Sequence, residues 1–307
     1  MSDHLTGLIA AVHTPMREDG SLNLDMAPEQ ARCLAANGVS GVFVCGSTGE
    51  GPSLSVAERL ALAERWKAAA GGALRVLVHA GHDCLPAARE IAAHAETVVG
   101  ARAIAAVAPV YFPPARIGDL VAYCAEIASA APLTPFYYYH IPMRTGLNFK
   151  AIDIMKAAAA EIPTFAGIKF THEDLMDFRQ CLEFEGGRYN CLFGRDEILL
   201  SALALGARGA IGSTYNFAAP LYLRILKAFE AGDLETARRE QSRAMEMIAT
   251  MRRFPIMVAI KAAMKAIGVD CGPSRLPQSQ LTEEEYEALR GDLTRIGFFD
   301  YCMRVEE

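Results

Sequence analysis

Eight short apolar segments recur along the chain, and helical stretches separate most of them. The apolar segments occupy residues 8–12, 41–44, 75–78, 103–107, 136–139, 166–168, 191–193 and 210–212. The helical stretches include residues 55–70, 84–98, 117–130, 174–183 and 196–205. Short apolar strands that alternate with helices indicate parallel strands joined by right-handed crossovers. Eight such units close into a barrel, whereas an open doubly wound sheet usually has about six strands, so we predict an α/β protein with a (β/α)8 TIM barrel.

The part of the chain after the eighth segment has helical patterns and no further strand signal. These patterns cover residues 219–231, 234–251, 256–266 and 282–296. We expect one of these helices to complete the barrel and the others to form a C-terminal extension. No Pro/Ser-rich linker or low-complexity tract separates the two parts. We therefore predict one catalytic domain over residues 1–307, with the barrel at about 6–232 and the extension at about 233–307.

The balance of apolar and charged residues excludes several classes of protein. Hydrophobic residues make up 52% of the chain and charged residues 21%, which favours a large core over disorder. The formal net charge of −6, without a basic run, argues against nucleic acid as a partner. The N-terminus lacks the pattern of a secretory signal, and no apolar run reaches the ~18 residues of a membrane helix. We expect a cytoplasmic protein that does not bind membranes.

Cysteine and histidine spacing gives no sign of disulfides or of a bound metal. The eight cysteines are dispersed without a Cys-x-x-Cys pair, so we predict reduced residues of the core. His79, His82 and Asp83 have a spacing that resembles metal ligands, but no clear remote partner completes the set. We predict no metal site.

Reactive groups of a (β/α)8 barrel lie at the C-terminal ends of its strands, and Lys169 follows the sixth apolar segment. Burial of an ammonium group is unfavourable and lowers the pKa of a lysine. The neutral amine can attack a ketone to form an imine, which when protonated withdraws electrons from the adjacent carbon–carbon bond. Lys169 is therefore the candidate Schiff-base residue. The structural alternative is a lysine that reaches solvent from the rim.

A glycine-rich turn follows the second segment, with the sequence Gly46-Ser47-Thr48-Gly49-Glu50-Gly51. Its glycines can expose backbone N–H groups, and the hydroxyls of Ser47 and Thr48 supply further donors. The turn can therefore bind a carboxylate, although a purely structural turn is an equal alternative. It is not a nucleotide-binding loop of the Walker or G-x-G-x-x-G type.

Three tyrosines and His140 end the fifth segment. Alternation along a strand sends Tyr137 and Tyr139 to one side and Tyr138 to the other. A tyrosine hydroxyl at the barrel mouth can relay a proton. The structural alternative for each of these residues, including His140, is a place in the core.

Acidic and hydroxyl residues follow the seventh and eighth segments. Asp196 and Glu197 come after the seventh, and Ser213 and Thr214 come after the eighth. Adjacent carboxylates can accept hydrogen bonds from sugar hydroxyls. Alternatively, Asp196 caps the following helix and Glu197 lies in its solvated first turn.

These motifs, in this order, resemble the N-acetylneuraminate lyase and dihydrodipicolinate synthase family of Schiff-base aldolases over nearly the whole chain. Residues 46–50 look like the family's pyruvate-carboxylate loop, Tyr139 matches its catalytic tyrosine, and residues 167–169 match the strand of its imine-forming lysine. The resemblance implies a (β/α)8 barrel with extra C-terminal helices, usually a homotetramer. It also implies a small 2-keto acid as substrate and no metal or organic cofactor.

Within that family, the motifs look like the sialic-acid lyase branch. This similarity implies reversible cleavage of N-acetylneuraminate to pyruvate and N-acetylmannosamine. Lys169 would be the nucleophile, Tyr139 the acid–base group, and Ser47 and Thr48 the carboxylate ligands. The substrate-binding positions of the branch correspond to Thr171, Gly194, Asp196, Glu197 and Ser213.

Two further residues enter through the resemblance. Tyr111 is similar to a family tyrosine that reaches toward a neighbouring subunit's site. Arg144 is a departure, because the lyases usually have an apolar residue there and the synthases an arginine that helps bind a substrate carboxylate. The alternatives are therefore a condensing synthase or another 2-keto-3-deoxy acid aldolase or dehydratase. A catalytically silent sugar-binding protein is a third possibility.

Overall fold

Eight parallel strands form a closed barrel in the computed structural model, which describes residues 4–304. The first three residues of the N-terminal segment considered above lie outside the described residues. The strands are β1 (Gly7–Ala11), β2 (Gly41–Val44), β3 (Arg75–His79), β4 (Ala103–Val107), β5 (Phe136–His140), β6 (Phe165–Phe170), β7 (Asn190–Phe193) and β8 (Gly209–Gly212). Each strand pairs with the next, and β8 closes the barrel against β1. The predicted (β/α)8 barrel is confirmed.

Helices cover the outside of the barrel and continue beyond it. They are α1 (Ala27–Ala36), α2 (Val56–Ala70), α3 (Leu85–His94), α4 (Ile117–Ser129), α5 (Pro142–Thr145), α6 (Ala151–Glu161), α7 (Leu175–Glu183), α8 (Leu199–Leu205), α9 (Tyr215–Glu230), α10 (Leu234–Met251), α11 (Ile256–Ala266) and α12 (Glu283–Arg295). A wider helical turn, Ala95–Val99, extends α3, and a tight turn, Asp196–Ile198, precedes α8.

The helix boundaries follow from local capping. The side chain of Ser55 accepts a hydrogen bond from the backbone N–H of Glu58, whose carboxylate in turn accepts from the N–H of Ser55. This reciprocal pair satisfies two N–H groups that the first turn of α2 leaves unpaired. Gly71, with a φ of +52°, then ends the helix in the left-handed conformation that favours glycine.

Two apolar layers form the core. Inward-facing strand residues such as Ile9, Phe43 and Leu192 fill the barrel, and outward-facing residues such as Val42 and Phe193 pack beneath the helices. Because both faces of the strands are buried, the strands are continuous apolar runs.

The C-terminal extension begins with α10, which packs against α9 and α12. A buried ion pair joins the extension to the turn after β2, with Lys261 Nζ 3.0 Å from Glu50 Oε1. The backbone N–H of Arg275 donates to the other Glu50 oxygen at 2.9 Å. The carboxylate of Glu50 is therefore held entirely by residues of the extension.

The cysteine prediction is correct for six residues and wrong for two. All eight thiols are free, and six of them are buried. Cys84 is exposed at the start of α3, and Cys302 is partly exposed near the C-terminus, so these two do not belong to the core. Among residues 4–304, no helix is long and apolar enough to cross a membrane.

Candidate active site

A cavity of about 420 Å³ opens at the C-terminal ends of the strands. Eleven residues were assigned to the site through the family resemblance, and the cavity brings together ten of them: Ser47, Thr48, Tyr139, Arg144, Lys169, Thr171, Gly194, Asp196, Glu197 and Ser213. Tyr111 does not line it, and its side chain lies in the loop after β4 with 78% of its surface exposed. A larger cavity of about 1250 Å³ lies at the other end of the barrel, but none of these residues line it.

Lys169 lies near the end of β6 with only 3% of its surface exposed, so the alternative of a solvent-reaching lysine is wrong. Gly167, two residues earlier, has a φ of +152°, and a Cβ there would lie 1.8 Å from the backbone oxygen of Asn190. Only glycine allows β6 to approach β7 this closely. The local backbone that aims Lys169 into the barrel therefore depends on Gly167.

The amine of Lys169 is surrounded by aromatic rings. Its Nζ lies 3.8 Å from the ring centroid of Tyr139 and 4.4 Å from that of Phe43. Lys169 has no ion-pair partner within residues 4–304. Burial lowers the pKa of Lys169, while the nearby Tyr139 and Asp196 oppose that shift. The site therefore favours the neutral amine, which is the form that attacks a carbonyl.

The predicted alternation of the three tyrosines is confirmed. Tyr137 and Tyr139 lie inside the barrel, and Tyr138 lies in the outer layer. Only Tyr139 lines the cavity, where its hydroxyl is 3.5 Å from Ser47 Oγ. Tyr137 instead donates to Asn190 Oδ1 at 3.0 Å, and burial lowers the pKa of His140 to about 3, so neither residue is placed to exchange protons in the cavity.

Hydroxyl groups from two loops meet in the cavity. Thr48 Oγ1 is 2.7 Å from Ser213 Oγ, which joins the turn after β2 to the residues after β8. Thr14 Oγ1 donates to the backbone oxygen of Gly49 at 2.6 Å and fixes the same turn from β1's side. Ser47, Thr48 and Ser213 therefore present several donors to one region of the cavity.

Asp196 is a buried carboxyl group, and it does not cap the helix that directly follows it, as the alternative expected. Its Oδ2 accepts from the backbone N–H of Thr214 at 3.0 Å and from Thr214 Oγ1 at 2.7 Å, so it caps the start of α9 rather than its own helix. The hydroxyl of Tyr215 is a further donor beside this carboxyl group. Burial raises the pKa of Asp196 to about 6.

Glu197 lies in the first helical turn, as the alternative expected, but its side chain is ion-paired and only 19% exposed rather than solvated. Its Oε1 is 2.5 Å from Arg252 Nη2 and 3.1 Å from Arg195 Nη2. Arg252 ends α10, and the pair therefore links the cavity wall to the extension. No local sequence pattern indicates the contact of Arg252 with Glu197, because these two residues are far apart in the chain.

One wall of the cavity is apolar, and no sequence pattern indicates it. The extension contributes five apolar residues to the lining of the cavity, and they are Ile248, Met251, Ile256, Met257 and Ile260. Their helical spacing is typical of core packing, and nothing in it distinguishes a cavity wall from a core.

The side chains with metal-like spacing have other partners. His79 Nδ1 is 3.3 Å from a guanidinium nitrogen of Arg59. His82 Nδ1 accepts from the backbone N–H of Cys84, and Asp83 Oδ1 accepts from that of Val110. Over residues 4–304, no group of three histidine, cysteine or acidic residues could hold a metal ion.

The site therefore combines a buried lysine, a tyrosine beside it and a turn lined by hydroxyl groups, and the whole chain is similar to a known family. The profile of the Dihydrodipicolinate synthetase family matches residues 4–296. The chain belongs to this family. Members of the family resemble the chain over almost their full length, in sequence and in structure.

Three relatives illustrate this likeness. An N-acetylneuraminate lyase of Gallus gallus is 41% identical over 285 residues, which cover 91% of this chain and 92% of that protein. The structure of Proteus mirabilis N-acetylneuraminate lyase is 39% identical with a TM-score of 0.94, covering 96% of this chain and all of that one. The N-acetylneuraminate lyase (sialic acid aldolase) of Aliivibrio salmonicida is 38% identical with a TM-score of 0.93, covering 96% and 98%.

The pKa of Asp196 gives a prediction for stability. Because the folded pKa is raised from 3.8 to about 6, the folded state holds the proton more tightly, and Asp196 lowers stability as pH rises through that window. Asp196→Asn keeps an oxygen for Thr214 and removes the charge. We expect the variant to be more stable than the wild type at pH 8 by roughly 1–3 kcal/mol, and to lose this advantage at pH 4.

Urea unfolding at both pH values measures this difference, and Asp177→Asn is the matched control. Both oxygens of Asp177 accept backbone N–H groups, from Ala151 and Ile152, so the same change there should lower stability. An Asp196→Asn variant that is less stable than the wild type at pH 8 contradicts the prediction.

Proposed function

We propose that the chain is a class I aldolase that reversibly cleaves N-acetylneuraminate to pyruvate and N-acetylmannosamine. The observation that carries the proposal is the buried amine of Lys169, which has no ion-pair partner among the described residues and lies against the ring of Tyr139 in the cavity. Relatives named N-acetylneuraminate lyase support the choice of substrate.

The proposed reaction begins at the keto carbon of the substrate. Lys169 attacks C2, water leaves, and a protonated imine forms while Ser47 and Thr48 donate hydrogen bonds to the carboxylate. Tyr139 takes the proton of the C4 hydroxyl, the C3–C4 bond breaks, and its electron pair moves into the iminium to give an enamine and the sugar aldehyde. Tyr139 then returns the proton to C3, and water releases pyruvate from Lys169.

The sugar end of the substrate would lie against the opposite wall. Asp196 and Thr171 both line the cavity, and the carboxyl and hydroxyl groups that they carry are of the kind that pairs with sugar hydroxyls. Glu197, Ser213 and the backbone at Gly194 line the same region. We assign these five residues to binding of the polyol tail.

We further propose that the chain acts as one catalytic domain, in the cytoplasm and as a homotetramer. An exposed aromatic pair supports assembly, because Tyr111 and Phe112 are 78% and 81% exposed with their ring centroids 4.9 Å apart. Large exposed apolar surfaces usually mark contacts between proteins. Sedimentation equilibrium measures the assembly state, and a monomer at micromolar concentration would contradict the tetramer.

The direct test is release of pyruvate from N-acetylneuraminate. We expect pyruvate and N-acetylmannosamine in equal amounts, and net synthesis of N-acetylneuraminate when both products are supplied in excess. A panel of other 2-keto-3-deoxy acids serves as the comparison. If the protein condenses pyruvate with aspartate semialdehyde and ignores N-acetylneuraminate, the substrate assignment is wrong and the Schiff-base chemistry stands.

Arg144 favours that second candidate, a synthase that condenses pyruvate with an aldehyde bearing its own carboxylate. Arg144 lines the cavity, and within residues 4–304 no acidic side chain forms an ion pair with it. No neighbouring acid of the described structure therefore anchors the turn that carries Arg144.

Replacing Arg144 with leucine separates the two candidates. The only carboxylate of N-acetylneuraminate is assigned to the Ser47/Thr48 turn, so we expect Arg144→Leu to keep kcat/KM for pyruvate release within about threefold of the wild type. A synthase would instead lose a charge-assisted contact of about 1.5–3 kcal/mol, which is roughly 10- to over 100-fold in kcat/KM. Steady-state kinetics with both substrates measure the effect.

A further inference from the structure

Arg59 is a buried cation without an acidic partner among the described residues. It extends from α2 with 2% of its surface exposed, and its guanidinium donates to the backbone oxygens of His79 at 2.5 Å and Gly81 at 3.1 Å. Buried arginines are usually paired with carboxylates, because an unpaired charge in the interior is unfavourable. The charge of Arg59 is instead stabilised by two backbone carbonyls at the end of β3.

The guanidinium also holds the imidazole of His79. Arg59 Nη2 is 3.3 Å from His79 Nδ1, and the backbone N–H of Val107 is 3.4 Å from His79 Nε2. Both ring nitrogens therefore face N–H donors. A neutral imidazole can accept a hydrogen bond at only one of its two nitrogens, whereas a doubly protonated ring would direct an N–H at a donor on each side and could accept from neither. This geometry keeps His79 neutral and fixed in orientation.

His79 is in turn one of three rings that contact each other edge to face. The centroids of Phe43, His79 and Tyr139 are 5.9 to 6.0 Å apart in all three pairs, with interplanar angles of 83° to 88°. Lys169 Nζ lies over two of these rings, those of Tyr139 and Phe43. The orientation of the Tyr139 ring therefore depends on a ring that Arg59 fixes.

We propose that Arg59 and His79 are positioning residues for the Schiff-base reaction. Arg59 keeps His79 neutral and fixes the orientation of its ring. The imidazole in turn packs against the ring of Tyr139 and keeps it beside the amine of Lys169. Neither residue lines the cavity, so both act through Tyr139. This inference rests on the proposed chemistry of Lys169 and Tyr139, but not on the identity of the sugar.

Charges around His79 explain why its neutrality matters. Besides Arg59 on α2, it faces Lys169 on β6, the hydroxyl-bearing ring of Tyr139 on β5, and His82 just beyond β3. Burial lowers the pKa of His79 well below its usual value, with Arg59, Lys169 and His82 adding to the shift. An imidazolium at this place would repel the protonated imine that the reaction requires.

The test is Arg59→Met, with Arg65→Met as the matched control on the same helix. Within residues 4–304, Arg65 donates to the backbone oxygen of Leu24, outside the barrel interior. Two rates are measured from pH 5.5 to 8.5: pyruvate release from N-acetylneuraminate, and exchange of the pyruvate methyl protons in D2O. The exchange needs the imine and a proton-transfer group but no sugar. If the wild type exchanges the protons of pyruvate but does not cleave N-acetylneuraminate, the proposed substrate is wrong. The exchange reaction then still tests the role of Arg59.

We expect Arg59→Met to reduce kcat for both reactions by about 10- to 100-fold at pH 6, and by less at pH 8, since a misplaced acid–base group commonly has this effect. KM should change by less than about threefold, and borohydride trapping of pyruvate at pH 8 should reach the wild-type extent. The new loss of rate at low pH should disappear in Arg59→Met/His79→Phe, because phenylalanine keeps the ring and cannot be protonated. Arg65→Met should behave as the wild type.

A folded Arg59→Met variant with the wild-type kcat and pH profile overturns the proposal. A loss of rate at low pH that persists in Arg59→Met/His79→Phe also overturns it. If Arg59→Met does not fold, variants of His79 test the proposal by themselves. His79→Phe preserves the ring contacts with Tyr139 and should keep most of kcat, whereas His79→Ala should lose about 10-fold or more. Equal rates for these two variants would overturn the role of the ring.

Discussion

Replacing Lys169 with methionine should abolish both imine formation and turnover. Methionine has a similar length and suits the aromatic surroundings, so the fold should survive. Without the amine no covalent intermediate forms, and we expect kcat to fall by at least about 10⁴-fold. Borohydride reduction in the presence of pyruvate, followed by intact-mass and peptide mapping, should place the adduct of the wild type on Lys169 and give none with the variant.

Lys261 is the matched control for this prediction, because among the described residues it is the second buried lysine. Its amine is paired with Glu50 at 3.0 Å and donates to the backbone oxygen of Pro273 at 2.6 Å. An ion-paired ammonium is a poor nucleophile, so no adduct is expected there. Mapping of the adduct to Lys261, or trapping that persists in Lys169→Met, would refute the assigned mechanism.

Replacing Tyr139 with phenylalanine should separate imine formation from bond cleavage. The change removes only a hydroxyl, and the ring contacts with Phe43, His79 and Lys169 remain. Pyruvate should still be trapped by borohydride, while kcat for cleavage of N-acetylneuraminate should fall by roughly 10²–10⁴-fold if Tyr139 is the acid–base group. Rapid-quench measurement of the trapped intermediate and of pyruvate release distinguishes the two steps.

Tyr137→Phe is the control, since it makes the same change on the same side of the same strand. Its hydroxyl donates to Asn190 rather than into the cavity. We expect kcat near that of the wild type and a stability loss of about 1 kcal/mol from the lost hydrogen bond, because Asn190 Oδ1 still accepts the backbone N–H of Leu5. Near-normal cleavage by Tyr139→Phe together with a large loss in Tyr137→Phe would move the acid–base role to Tyr137.

The barrel could be predicted because each strand is a local pattern. Gly41–Val44 and Ala103–Val107 match the predicted segments, and the other strands differ by one or two residues at their ends. The placement of Lys169 at the cavity also followed from local sequence, because a polar residue after an apolar strand lies at the C-terminal end of the barrel.

Contacts across long stretches of sequence could not be predicted. Asp196 caps a helix that begins after the next strand, and Glu197 pairs with Arg252 at the end of α10. Arg59 and His79 lie on a helix and a strand whose separate patterns are those of ordinary core elements. Such pairs depend on the register between elements, which periodicity does not specify.

The ion pair between Glu50 and Lys261 bears on how the molecule unfolds. Removing either partner from a buried pair commonly lowers stability by about 3–5 kcal/mol, because the remaining charge stays in the interior. Loss of α11 would leave Glu50 uncompensated directly behind Ser47 and Thr48, so the barrel and the extension should melt in one cooperative transition. Amides of α11 and of the β2 turn should then exchange with solvent deuterium at the same global rate, rather than through independent local openings.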